Sequence, residues 1–298
     1  MKTVLVLGAN GFIGKQVVAT LRLNQYRVIK ADIQTSQCDD ECLIFDAVEP
    51  NFVDLFSQTK PDVCINCTGA ASVPLSFSTP LSDYQLNTQR IIEMLDALRE
   101  IKLGIRFIHL SSAAVYGNPV ELPVLESSVI KPLSPYGWHK HYAELACQEY
   151  ATLHKIPALS LRIFSAYGPG LRKQLFWDTY QKAKQNDRLE LFGTGNETRD
   201  FIYVEDIARC IDTLIRKGDF DGRAVNVASG DAIKISTAVS TLISSLGWSR
   251  NCEFTGEERV GDPLYWQADV SYLESLGFTP AFSLSQGLEQ VAQWMLEE

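Results

Sequence analysis

No stretch of the chain is apolar for the roughly 20 residues that a membrane-spanning helix requires, so neither a membrane span nor a membrane partner is expected. Basic residues are not in excess: 27 Lys and Arg stand against 36 Asp and Glu, a formal net charge of −9. That balance argues against a general nucleic-acid binder or a protein drawn to acidic lipid. A zinc set is missing as well. The seven cysteines are Cys38, Cys42, Cys64, Cys67, Cys147, Cys210 and Cys252. Cys64 and Cys67 form a CxxC, but inside the apolar run VCINCTG, and no second CxxC or nearby His pair completes a ligand set. Buried, reduced thiols and no metal are expected. The start, MKTVLVLGAN, ends its apolar run in a glycine turn rather than a small-residue cleavage site. It reads as a strand, and the protein as cytoplasmic. No internal repeat, low-complexity segment or plain linker is present.

What is there is an alternation. The 298 residues, 46% of them hydrophobic, suffice for a sizeable core. TVLVLG reads as a buried strand, followed by a helix over 12–23. YRVIKAD, PDVCINCTG, IRFIHLSS and PALSLRIF read as further strands. Between them fall a helix over 80–100, with Leu86, Ile91, Ile92, Leu95 and Leu98 on one stripe, and a long helix over 133–154. Strands alternating with helices predict an α/β fold, a doubly wound parallel sheet covered on both faces. After Phe164 the pattern loosens: GPGLRKQ and FGTGNETRD read as loops, AVNVASG as one more buried strand. Two interleaved lobes are expected. Residues 1–164, with 201–228 returning, would form one; 165–200 and 229–298 would form the other.

The first turn is Gly8-Ala-Asn-Gly11-Phe12-Ile13-Gly14, a GxxGxxG between strand and helix. Glycines let the backbone approach a pyrophosphate, and the helix N-terminus offers free N–H groups and partial positive charge. Gly14 lets the helix pack close to the sheet. Asp32 ends the second strand, where a carboxylate accepts from a ribose 2′-OH; that favours NAD over NADP. Asp46 and Ala47, in IFDAVE, are placed to meet an adenine edge, or Asp46 simply caps a turn.

The stretch SPYGWHK puts Tyr136 and Lys140 four residues apart, on one face of a helix. A tyrosine with its ordinary pKa near 10 is a poor base at neutral pH. A neighbouring ammonium and an oxidised nicotinamide would both favour its phenolate. Ser111 and Ser112, at a strand end in HLSSAAVYG, are candidates to donate to a developing oxyanion.

Taken together these residues resemble the extended short-chain dehydrogenase/reductases, in their nucleotide-sugar epimerase/dehydratase branch. The likeness runs nearly end to end through GANGFIG, AASVPLSF, LNT, SSAAVYG, SPYGWHK, LRIFSAYGPG, RDFIYVEDIA, NVASG and RVGDPLYWQAD. It implies a Rossmann-type lobe holding NAD and a second lobe holding a nucleotide-diphosphate sugar. By resemblance Tyr136 is the acid/base, Lys140 its partner and ribose ligand, and Ser112 the third member. Asn87 is structural or part of a proton relay, and Ile163 and Phe164 flank the nicotinamide. Arg199 and Arg259 contact the diphosphate, Asp262 the nucleotide ribose, and Tyr265 or Trp266 sets the size of the hexose pocket. A homodimer through the two long helices and a role in polysaccharide precursor synthesis are also implied.

Branch residues narrow the reaction. The 4,6-dehydratases of this family carry an Asp-Glu pair just after the Ser or Thr. Here Ala113 and Ala114 stand there, and methyl groups transfer no protons. Uronate decarboxylases, which usually carry glutamate at the second position, are disfavoured likewise. A 4-epimerase is expected, with a 4-ketoreductase as the same-fold alternative and a non-catalytic NAD sensor behind it. Ser165 stands where the family usually has an asparagine that contacts the diphosphate. Arg172 and Lys173, in GLRKQ, are candidates to supply the missing charge.

Overall fold

The computed structural model describes residues 1–33, 41–257, 261 and 263–298. In chain order its elements are β1 (Thr3–Leu7), α1 (Phe12–Leu23), β2 (Arg27–Asp32), β3 (Cys42–Ile44), α2 (Phe52–Thr59), β4 (Val63–Asn66), α3 (Val73–Ser78), α4 (Pro80–Tyr84), α5 (Arg90–Ile101), β5 (Arg106–Ser112), α6 (Pro135–His154), β6 (Ala158–Ile163) and β7 (Ser165–Tyr167). Then follow α7 (Gln174–Gln185), β8 (Arg188–Leu191), β9 (Thr198–Arg199), β10 (Phe201–Tyr203), α8 (Val204–Lys217), β11 (Asp221–Val227), β12 (Ile233–Lys234), α9 (Ile235–Ser245), β13 (Asn251–Phe254), α10 (Ser271–Ser275) and α11 (Leu284–Glu297).

Seven strands form one parallel sheet in the order β11-β6-β5-β4-β1-β2-β3. β1 explains why both faces are covered. Val4 and Val6 point into a cluster with Val17 and Leu21 of α1 and Ile207, Ile211 and Leu214 of α8. Leu5 and Leu7 point the other way, against Phe56 of α2, Met94 and Leu95 of α5, and Ala143 and Cys147 of α6. Full burial of each such side chain is worth about 1.5–3 kcal/mol, and an unbroken apolar strand is what two covered faces demand. The doubly wound fold read from the sequence is the fold observed. The chain reverses direction across the sheet between β1 and β4. The crevice outside their carboxyl ends is where such sheets hold ligands.

A separate core joins α7, β8, α9 and α11, with Phe176, Tyr180, Leu191, Val239, Leu242, Leu288 and Val291 at its centre. β8 pairs with β13 in a small sheet of its own.

The 80–100 helix departs from expectation. α4 and α5 are joined by a π-helical turn over Gln85–Gln89. Winding wider than an α-helix shifts the stripe by a residue: Ile91, Met94, Leu95 and Leu98 are buried, whereas Leu86 and Ile92 face outward. The same turn rotates Asn87 and Thr88 inward.

Candidate active site

The glycine turn is built by steric necessity. Gly8 has φ +72°, a region L side chains rarely adopt, and a Cβ there would sit 3.0 Å from the Cys67 carbonyl and the Thr68 nitrogen. A Cβ on Gly14 would lie 2.1 Å from the Gly8 oxygen. Gly11 is the N-cap of α1, with no side chain capping the helix. Its neighbours Phe12 and Ile13 join it in the cleft wall. Asp32 is buried at the end of β2. Its Oδ2 accepts from the Asn10 nitrogen at 2.8 Å and its Oδ1 from the Ile33 nitrogen at 2.9 Å. The carboxylate thus fastens the turn to the strand end, and each oxygen keeps a lone pair. Asp46 is exposed and accepts from the Val48 and Glu49 nitrogens at 2.6 and 2.9 Å. Those bonds hold its carboxyl below the usual range. Ala47 is exposed beside it. Both sit in a capped turn just after β3.

β5 delivers the two serines to different tasks. Ser111 is buried and donates to Glu144 Oε1 at 2.6 Å. Glu144 also takes Arg162 through Nε at 3.0 Å and Nη2 at 2.8 Å, and Arg162 donates to the Tyr116 hydroxyl at 2.8 Å. This brace ties α6 to β5 and β6. Ser112 is the more open of the two serines that line the cleft; its Oγ accepts from the Ala114 nitrogen at 3.1 Å.

The serine–proline start of α6 has a local cause. Ser134 caps the helix, its Oγ accepting from the Gly137 nitrogen at 3.2 Å, and Pro135 occupies the first turn, where a missing N–H costs nothing. Gly137 then lets the helix touch the preceding turn: a Cβ there would lie 2.6 Å from the Ala114 oxygen. That contact brings Tyr136 to Ser112. Burial pushes the Tyr136 phenol up to about 12, a hydrogen bond with Ser112 pulls it down, and the charge of Asp83 pushes it up. Lys140 is pulled down to about 8 by burial, against the raising charges of Asp83, Glu144 and Cys67. Its Nζ donates to the Leu110 carbonyl at 2.9 Å and lies 5.9 Å from the Tyr136 ring centre. In the protein without cofactor, burial dominates the phenol, and the lowering expected of an ammonium and an oxidised nicotinamide acting together is a property of the loaded site.

Asn87 meets Lys140 at Gly69. A Cβ on Gly69 would sit 2.6 Å from Asn87 Oδ1 and 3.5 Å from Lys140 Nζ. Asn87 is fully buried, and neither its Oδ1 nor its Nδ2 has a protein partner. An orphaned amide beside a glycine cradle and an uncapped helix N-terminus fits a bound dinucleotide.

Gly11, Gly69, Ser112, Tyr136 and Lys140 line one cleft of about 1050 Å³. Ile163, Phe164 and Ser165 come from the end of β6 and the start of β7; Arg199 and Trp266 face them. The Arg199 guanidinium donates to the Thr198 carbonyl at 2.9 Å and lies 5.7 Å from the Trp266 ring centre. Of the two candidate pocket rings, Trp266 is buried in the wall, with Nε1 donating to the Gly117 carbonyl at 3.0 Å and its ring edge-on to Phe164. Tyr265 is 49% exposed and lies off the wall. Lys173 reaches across to the Ala71 carbonyl at 3.3 Å. Arg172 instead pairs with Glu298 at the surface. Arg259 and Asp262 lie outside the described residues. Ala113 and Ala114 place no titratable group beside Ser112. The free thiols Cys64 and Cys67 are pushed up by burial, Cys67 to about 12, and no metal-binding cluster occurs among the described residues. No helix among those residues is long and apolar enough to cross a membrane. Sequence reasoning missed Asp83 and His139, which lie directly behind the tyrosine and lysine; a single aspartate in SDYQLN carries no periodic signal.

Residues 4–228 match the model of the NAD dependent epimerase/dehydratase family. Over 98% of both chains the protein is 28% identical to a putative UDP-glucose 4-epimerase of Methanocaldococcus jannaschii. Among solved structures, UDP-glucuronic acid 4-epimerase from Bacillus cereus, in complex with UDP-glucuronic acid and NAD, superposes with TM-score 0.87 at 27% identity over 99% of both chains. UDP-glucose 4-epimerase from Thermotoga maritima, with UDP-glucose, does so with TM-score 0.88 at 25% identity over the same shares.

Proposed function

The chain belongs to the NAD-dependent epimerase/dehydratase family, and from that premise we propose that it is an NAD-dependent 4-epimerase of a nucleotide-diphosphate sugar. One observation carries the reading: Ser112, Tyr136 and Lys140 meet at the cleft floor with alanines, not an acid/base pair, at positions 113 and 114. That set suits reversible oxidation at one carbon and lacks the groups for water elimination.

Gly8, Gly11, Phe12, Ile13 and Gly14 would hold the pyrophosphate, and Asp32 the adenosine ribose, its charge selecting a free 2′-hydroxyl. A bound NAD would supply the reversible hydride chemistry that inversion at the sugar C4 needs. Tyr136 Oη takes the proton of the C4 hydroxyl as hydride leaves and gives it back when the 4-keto sugar is reduced. The phenol, held near 12 by burial, is brought into range by the cofactor's positive charge. Its role as a base would therefore be favoured by the oxidised cofactor. Ser112 donates to the C4 oxygen, and Lys140 holds the nicotinamide ribose beside Asn87. Ile163 and Phe164 exclude water from the ring. Residues 165–200 and 229–298 form the substrate lobe, in which Arg199, Ser165 and Lys173 face the diphosphate and Trp266 limits the hexose. Arg259 and Asp262 remain part of the proposed nucleotide site.

A homodimer is part of this reading. Leu81, Leu86 and Ile92 on the α4–α5 side and Trp138, Tyr142 and Leu145 on α6 are exposed, which suits a helix-to-helix interface between two copies. We also assign the enzyme to the cytoplasm, where sugar-nucleotide precursors are made.

The test is to denature purified protein, identify the released nucleotide, and screen UDP-hexoses for C4 inversion. Stoichiometric NAD that exchanges slowly, with inversion of a UDP-hexose, upholds the reading. An empty site that consumes NADPH or NADH with a 4-keto sugar nucleotide replaces it with a reductase.

A further inference from the structure

Behind Tyr136 and Lys140 lies a second pair. Asp83, on α4, is 4% exposed. Its Oδ2 is 2.6 Å from Nδ1 of His139, the residue preceding Lys140 on α6. Its Oδ1 is buried without a hydrogen-bond partner. An ionised carboxylate only accepts, so toward one the Nδ1 atom is the donor. The imidazole is held from several sides. Its ring packs edge-on to Tyr84 and against Tyr142, and its backbone carbonyl accepts from Thr88 Oγ1 at 2.8 Å.

The charges around Lys140 are then few. Glu144, on its own helix, is occupied by Arg162 and Ser111. Cys67, after β4, is a thiol pushed up by burial, and His109, on β5, is pulled well down by burial and by Lys140 itself. Both are neutral at physiological pH. Ser112 is the polar neighbour of the Tyr136 phenol, and Asp83 the carboxylate whose charge reaches both the phenol and the ammonium. His139 engages one of its oxygens; the other is buried without a hydrogen-bond partner.

We propose that Asp83, oriented by His139, is a positioning residue that keeps the buried Lys140 charged and opposes loss of the Tyr136 proton. The role rests on the reading of those two residues given above. Its signs are definite. A negative charge raises the pKa of an ammonium and of a phenol alike, so removing it lowers both. Tyr136 then deprotonates at lower pH, moving the acid limb of the kcat/KM profile down. Lys140 loses its charge at lower pH, moving the alkaline limb down. The whole bell translates toward acid. Loss of packing alone would lower the bell without moving it.

The experiment compares wild type with Asp83→Asn, Asp83→Ser and Asp83→Glu. Asparagine is isosteric, and its amide can donate to the other tautomer of His139, so the pair survives without its charge. The readouts are the pH profile of UDP-hexose inversion and the tyrosinate absorbance titration of NAD-loaded protein, with Tyr136→Phe as the blank. Both limbs and the Tyr136 titration are expected to move about one pH unit toward acid in the Asn and Ser variants. They should stay near wild type in the Glu variant. Limbs and titration unmoved in a folded neutral variant would overturn the proposal. If wild type inverts no sugar, the functional reading fails, and the absorbance titration alone still decides the role of Asp83.

Discussion

Gly14 is the position where a single methyl group does the most. An alanine Cβ there would lie 2.1 Å from the Gly8 oxygen and 3.0 Å from Ala9 Cα. Both are backbone atoms, so no side chain can swing aside. Helix α1 must back away from the glycine turn, or the turn must open. Overpacking of this kind costs about 1–3 kcal/mol. In a chain of this size each kcal/mol lowers Tm by about 2–4 °C. Gly14→Ala is therefore expected to melt several degrees below wild type and to lose most of the stabilisation that NAD confers. That stabilisation is about 2.7 kcal/mol at a hundredfold excess over Kd. The control is Gly11→Ala, whose Cβ would meet the Gly8 oxygen at 3.2 Å, a contact relieved by a few tenths of an ångström. It should melt near wild type. Scanning calorimetry without NAD separates the two, and the NAD-dependent shift of Gly14→Ala is read against wild type, because Gly11 is itself a proposed pyrophosphate contact. A Gly14→Ala protein with wild-type Tm and an undiminished NAD shift would refute the close approach of helix and turn.

Three further outcomes are expected. Tyr136→Phe should lose about 10²–10⁴-fold in inversion rate, the usual share of a positioned acid/base, while still carrying NAD; a variant that retains its rate would remove Tyr136 from the mechanism. Arg199→Lys keeps the charge but loses the planar fork, so KM for the nucleotide sugar should rise about tenfold, equivalent to about 1.4 kcal/mol, with kcat little changed in steady-state assays. Glu144→Gln strands Arg162 in a buried site and should cost about 3–5 kcal/mol at neutral pH. Against the raising effect of burial, His141 at 3.6 Å and the bonds from Arg162 and Ser111 hold the Glu144 carboxyl below its ordinary value. The contribution of a depressed carboxylate is present above its unfolded pKa and disappears as pH falls through the folded one. Melting curves of wild type and variant should therefore converge in acid, and a gap of constant size would count against the brace.

What the sequence made legible was whatever is local. The glycine turn, the serine–proline cap and the four-residue step from Tyr136 to Lys140 each follow from backbone geometry within one turn of chain. So does the apolar run of β1, which is why the doubly wound sheet is readable before any contact is known. What stayed hidden depends on neighbours far apart in sequence. The π turn over Gln85–Gln89 leaves no mark on hydrophobic spacing, yet it moves Leu86 and Ile92 to the surface and Asn87 to Lys140. Trp266 and Tyr265 are adjacent letters in one aromatic stretch; only the bond from Trp266 to the Gly117 carbonyl distinguishes the wall from the surface. The direction of the Tyr136 shift is the sharpest case. Spacing puts an ammonium beside the phenol and suggests a lowered pKa, whereas burial and Asp83, 53 positions before Tyr136 in the chain, drive it to about 12. On the proposed reading, a phenol held up by burial becomes the better base beside a cationic cofactor, which ties proton removal to the presence of a hydride acceptor.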